Sequence, residues 1–151
     1  MGLAEQIQDD LTTAMKARDA QTTGALRLML AGVKELRAAA GRGQAEPTDE
    51  EVTELLARQA KQRRESITTY RDAGREDLAV KEEAELAVIG RYLPEQLGED
   101  ELRALVDQAV AAVGAQGPGD SGKVMGALMP KVKGRADGKV VNQMVRARLA
   151  G

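Results

Sequence analysis

"TDEEVTELLARQAKQRRESITTYRDAG" (Thr48 to Gly74) carries its own start and stop signals. Thr48 precedes Glu51 by three residues, the spacing at which a hydroxyl accepts the N3 amide and a carboxylate accepts the cap amide in return. Behind that capping box, Val52, Leu55, Leu56, Ile67 and Tyr70 mark the buried stripe of one long helix ending at Ala73. Gly74 then falls at C′, where the backbone needs the positive φ that glycine adopts without strain. No β period or repeat appears anywhere along the chain, so the expected fold is all-α.

Upstream, Leu3, Ile7, Leu11 and Met15 recur every four residues and predict a helix to about Arg18. A second helix spans about Thr22 to Ala40, with Leu26, Met29, Leu30, Val33 and Leu36 on one face. Gly24 and Gly32 inside it each cost up to about 1 kcal/mol of helix propensity relative to Ala, so they mark either close helix packing or plain tolerance. "GRGQAEP" (Gly41 to Pro47) reads as a mobile connection. Downstream, a fourth helix runs from about Asp77 to Gly90 with Leu78, Leu86 and Ile89 inward.

"RYLPEQLGEDE" (Arg91 to Glu101) breaks the pattern. Pro94 lacks an amide hydrogen and pushes Leu93 away from helical geometry, while Tyr92, Leu93 and Leu97 anchor the break by packing. A fifth helix follows through Leu102, Leu105, Val106, Val110 and Val113, and Gly114 ends it. "GAQGPGDSG" is a turn, after which Asp120 or Ser121 caps a sixth helix through Val124, Met125, Leu128 and Met129. Pro130 either ends or kinks that helix, and Asp137 caps a seventh from Gly138 to about Ala150. The expected layout is an N-terminal bundle of about four helices over 1–93, a hinge at 94–97, and a three-helix domain over 98–151.

Composition agrees with helices. The chain has 151 residues, no Trp or Phe and two Tyr, so its core rests on Leu, Val, Met and Ala. No apolar run approaches a membrane span, and the N-terminus lacks a basic flank and apolar core, so a cytoplasmic protein without a signal peptide is expected. With no Cys and no His, thiolate nucleophiles, the usual zinc sites and the commonest general base are all excluded. Neither G-x-x-x-x-G-K-[ST] nor G-x-G-x-x-G occurs. No cofactor or metal site is read, and a self-sufficient enzyme is not expected.

Charge is unevenly distributed. The formal net charge is −2, yet Ser121 to Gly151 holds seven cations against Asp137 alone, a net of +6, which leaves −8 for the other residues. On the seventh helix, Val141, Val145 and Leu149 fall on one face, with Val140 and Met144 beside them, and Lys139, Asn142, Gln143 and Arg146 fall opposite. Arg148 projects from the apolar side. The polar face and Lys131, Lys133 and Arg135 form one cationic strip, suited to phosphate oxygens or, in the bland alternative, simply solvated. A second basic run, Arg58 to Arg75, sits among acids and reads first as a solvated face, with a second nucleic-acid phosphate contact as the alternative.

"YLPEQL", "RQAKQRRESITTYRDAGREDLA" and "GKVMGALMPKVKGRADGKVVNQMV" resemble the small bacterial proteins of the GatB/YqeY family over essentially the whole chain. The C-terminal motif is similar to the tail of GatB, a subunit of the glutamine-dependent amidotransferase acting on mischarged tRNA. Gly126, Met129, Lys133, Gly134, Ala136, Lys139, Val141, Asn142 and Leu149 match the tail pattern, and Arg135 stands where the tail commonly has Lys. Pro130 belongs to the free-standing form of the motif. The resemblance implies a tRNA or other structured RNA partner but no reaction, because the catalytic region of GatB has no counterpart here. The expectation is a non-catalytic tRNA-binding or tRNA-amidation-associated protein, bound through Lys131, Lys133, Arg135, Lys139, Asn142 and Arg146. The alternatives are an accessory to a carbon–nitrogen ligase, acting with amidotransferase subunits, and a protein-interaction adaptor.

Overall fold

A computed structural model of the protein describes every residue except Met1, Ala40, Arg42 and Gln44. Seven α-helices and no strand occur among the described residues: α1 (Leu3–Lys16), α2 (Ala20–Arg37), α3 (Asp49–Asp72), α4 (Glu76–Gly90), α5 (Glu99–Val113), α6 (Ser121–Val132) and α7 (Gly138–Ala150). The protein is all-α. Among the described residues no helix is long and apolar enough to cross a membrane. The chain divides into two compact units, Met1–Leu93 and Pro94–Gly151.

The first unit is organised by α3, whose 24 residues span roughly 36 Å. Both halves of its capping box are formed, Glu51 N donating to Thr48 Oγ1 and Thr48 N to Glu51 Oε1, each at 3.1 Å. Its other end closes on Gly74 at φ 73°, where Gly74 N reaches Arg71 O and Arg75 N reaches Tyr70 O, the paired bonds of a Schellman motif. The start of α3 also serves α1. Gly2 offers α1 no capping side chain, and Asp49 Oδ1 accepts from Leu3 N at 2.9 Å instead. Asp19 caps α2, and the Thr22 hydroxyl followed by the Thr22 amide holds its carboxyl below the usual range.

The core of this unit comprises Ile7, Leu11, Ala14, Ala25, Leu26, Met29, Val33, Val52, Leu56, Ala60, Val88 and Ile89. Met15, expected on the buried face of α1, is half exposed, and Ala14 is buried in its place. Four-residue steps overshoot a 3.6-residue turn by about 40° each, so the third step has rotated off the face. On α3 the stripe between Leu56 and Ile67 is completed by Ala60 and by Arg63, which is partly buried between Glu82 and Glu85 of α4 at 3.1 and 3.3 Å. On α4 the inward positions are Ala79, Val88 and Ile89, while Leu78 and Leu86 are half-buried.

Close packing explains one of the two glycines of α2. A Cβ at Gly32 would lie 2.6 Å from Gln59 Nε2 and 3.0 Å from a Leu55 methyl, whereas one at Gly24 meets nothing within 4 Å. Helix α2 ends at Arg37, before the Ala40 expected from the sequence, which lies outside the described residues together with Arg42 and Gln44 of the following connection.

The second unit wraps α5, α6 and α7 around Leu102, Val106, Ala109, Val110, Val124, Leu128, Val132, Val141, Val145 and Leu149. Gly114, at φ 65°, ends α5, and Ala115 N closes on Val110 O. The connection to α6 includes a single 3₁₀ turn, Pro118–Asp120. Asp120 does not cap α6 with its side chain. Its Oδ2 accepts from Gln116 N at 2.9 Å and so braces the turn. Pro130 lies inside the last turn of α6. The helix runs on to Val132 because Lys133 N still reaches Met129 O.

Candidate nucleic-acid interface

The cationic strip is built from the α6–α7 corner. After Val132 the chain leaves α6 through Lys133 (φ −57°, ψ 124°) and Gly134 (φ 77°). Arg135 N and Ala136 N both return to Val132 O, at 2.8 and 3.1 Å, so this is a tight corner. Asp137 then starts α7 by accepting from Lys139 N at 3.0 Å, as its position before Gly138 predicts. Residues 95–97 belong to the same corner. Leu97 N donates to Arg135 O at 2.8 Å, Gln96 Nε2 to Gly134 O at 2.9 Å, and Arg135 Nε to Glu95 O at 3.2 Å. Leu97 packs on the second core, whereas Tyr92 and Leu93 pack on the first.

All six expected contact residues fall on this unit. Lys131, Lys133, Lys139 and Arg146 are exposed, while Arg135 and Asn142 are half-buried. Val141, Val145 and Leu149 face the core as expected, but Val140 is 44% exposed. Arg148 is already used: its Nε meets Asp107 Oδ1 of α5 at 2.9 Å. Lys123 stands 4.0 Å from Asp120. Arg135 has committed its Nε to the Glu95 carbonyl. Among the described residues Lys131, Lys139 and Arg146 make no ion pair with an acid, which leaves their charge for another partner.

The second basic run behaves differently. Arg63 is held by Glu82 and Glu85, Arg71 by Glu76 and Glu83, and Arg75 by Asp77. Hydrogen bonds to those acids are the main cause that pushes the Arg71 and Arg75 guanidiniums further above their already high ordinary value. Arg63 and Arg71 clamp α3 to α4, while Arg75 closes locally on the first turn of α4. These three are therefore engaged by acids, rather than simply solvated as the sequence predicts.

No group of three or more metal-ligating side chains occurs among the described residues. Several concave features lie in the first unit among the described residues. A groove of about 480 Å³ between α2 and α3 has Gly32 in its floor and Leu28, Leu36, Leu55, Arg58 and Gln59 around it. A second, of about 350 Å³, is lined by Asp10, Thr13, Asp19, Thr22, Arg91 and Tyr92. There Tyr92 Oη donates to Asp10 Oδ2. Burial, then this bond, push the Tyr92 phenol well above its ordinary value. A nucleophile or base working near neutrality needs the opposite shift, so this pair anchors the end of α4 to α1.

Fold and strip together define a two-unit helical protein whose small three-helix unit presents a cationic corner. The chain belongs to the YqeY-like protein family, whose family model matches residues 4–149. It is 33% identical over 144 residues to "Altered inheritance of mitochondria protein 41, mitochondrial" of Pyrenophora tritici-repentis, covering 93% of this chain and 77% of that protein. It is also 39% identical over 57 residues to a glutamyl-tRNA(Gln) amidotransferase subunit of Thermococcus gammatolerans, 35% of this chain and 9% of that protein. The corresponding protein of Thermococcus sibiricus is 38% identical over 72 residues, 48% of this chain and 11% of its own length. The likeness to the amidotransferase is therefore partial.

Proposed function

We propose that the protein binds tRNA or a tRNA-like structured RNA without catalysis of its own, through Lys131, Lys133, Arg135, Lys139, Asn142 and Arg146. The observation that carries this reading is the set of exposed cations without acid partners among the described residues, Lys131 and Lys139 on either side of the braced corner and Arg146 further along α7. Lys and Arg positioned by a rigid backbone contact phosphate oxygens, and the energy comes mainly from releasing counterions. The partial likeness to proteins named for glutamyl-tRNA(Gln) supports tRNA as the species. The unit holds no aromatic residue to stack on bases, so phosphate and ribose contacts dominate.

The same likeness favours a second reading, an accessory that acts in amidation only beside amidotransferase subunits. Titrating labelled tRNA with the wild type and with the Lys133→Ala, Arg135→Ala, Lys139→Ala variant tests the first reading. At least tenfold weaker binding by the variant, with helicity retained, is expected. Equal affinities would remove the strip as the RNA site. Co-purification with amidotransferase subunits without tRNA affinity would favour the accessory.

A further inference from the structure

The connector before α5 makes more contacts with the α6–α7 corner than a passive linker needs. Leu97 N, Gln96 Nε2 and the Glu95 carbonyl each meet a residue of Gly134–Arg135, at 2.8, 2.9 and 3.2 Å. Pro94 Cγ lies 3.9 Å from the point where a Cβ on Gly134 would sit. Gly134 takes φ 77°, so this corner adopts a conformation that an untethered chain populates only in part. Its carbonyl oxygen is satisfied by a side chain from 38 residues away. Lys133 and Arg135, two of the proposed phosphate contacts, flank that glycine directly.

We infer that Gln96 is a positioning residue for RNA binding: its amide, with the Leu97 and Arg135 bonds beside it, holds the Lys133–Arg135 corner in its binding geometry before RNA arrives. This rests on the proposed RNA reading and adds a part of the site that lies more than thirty residues from the basic motif. The physical reason is preorganisation. A flexible cationic corner would have to lose its backbone freedom on binding, and a braced one has already done so. Gln96 touches no RNA in this account. Its effect passes through Lys133 and its neighbours.

A double-mutant cycle tests the inference on the full-length chain, with tRNA as the probe. Gln96→Ala should weaken binding about fivefold, the size of one net hydrogen bond, while the far-UV spectrum is unchanged. In a Lys133→Ala background the same substitution should have a clearly smaller effect than in the wild type, because one of the two groups it positions has gone. Hydrogen exchange at the Leu97 amide should accelerate in Gln96→Ala, which reads the brace without RNA. Full additivity of the two substitutions, or an unaltered Leu97 exchange rate, would overturn the positioning role while leaving the RNA site intact. Absence of tRNA binding by the wild type would overturn the functional reading and this inference together.

Discussion

The two glycines of α2 should respond oppositely to the same substitution. At Gly24 an added methyl meets nothing within 4 Å, so Gly24→Ala gains helix propensity alone and should stabilise the first unit by about 0.5–1 kcal/mol. At Gly32 the same methyl would stand 2.6 Å from Gln59 Nε2 and 3.0 and 3.1 Å from the two Leu55 methyls. Gln59 is tied to the Leu28 carbonyl at 3.4 Å, so yielding loosens that bond as well as the α2–α3 contact. Overpacking of this kind costs about 1–3 kcal/mol, which exceeds the propensity gain and leaves a net loss of about 1 kcal/mol. The variants should then differ by about 2 kcal/mol, or about 1 M in urea midpoint for an m-value near 2 kcal/mol/M. Tyrosine fluorescence is the suitable probe, because Tyr70 and Tyr92 are the only aromatic residues and both lie in Met1–Leu93. A Gly32→Ala variant as stable as Gly24→Ala would refute the close-packing argument.

Other perturbations have equally definite outcomes. Thr48→Ala removes one half of the capping box and should cost about 1 kcal/mol by urea titration. Tyr92 has its folded-state pKa raised, so the stability it confers is fully present below the unfolded value near 10 and is lost as pH rises above it. The wild type should therefore lose stability between about pH 10 and 11 more steeply than Tyr92→Phe. A fragment of residues 94–151 should fold to a helical three-helix unit, and one beginning at residue 98 should be less stable because it lacks the brace on Gly134 and Arg135. Circular dichroism melts of both fragments test this, and equal melting would remove the brace as a contributor.

Local chemistry made much of the fold legible. Thr48 with Glu51, Gly74, Gly114 and Asp137 act within one turn of chain, and each does in the structure what its neighbours in sequence demand. Facing was read less well where four-residue spacing was followed too far, as at Met15 and Ala14, or where a small residue or an ion pair completes a stripe, as at Ala60 and Arg63. The cationic corner could be counted from sequence, but the free cations could not be told from the engaged ones. Arg148 finds Asp107 across 41 residues and Gln96 finds Gly134 across 38, and neither spacing carries a periodic signal. Asp120, expected with Ser121 as the alternative cap of α6, accepts instead from the Gln116 amide four residues upstream.

The salt dependence of tRNA affinity bears most directly on the central claim. If the corner and the exposed face of α7 together neutralise about four phosphates, log K should fall with log salt at a slope near −3, taking about −0.7 to −0.9 per contact. The Lys133→Ala, Arg135→Ala, Lys139→Ala variant should flatten that slope to near −1 while its circular dichroism matches the wild type. A wild-type slope near zero, or the same slope for both proteins, would contradict the account and leave the charge after Ser121 as solvated surface.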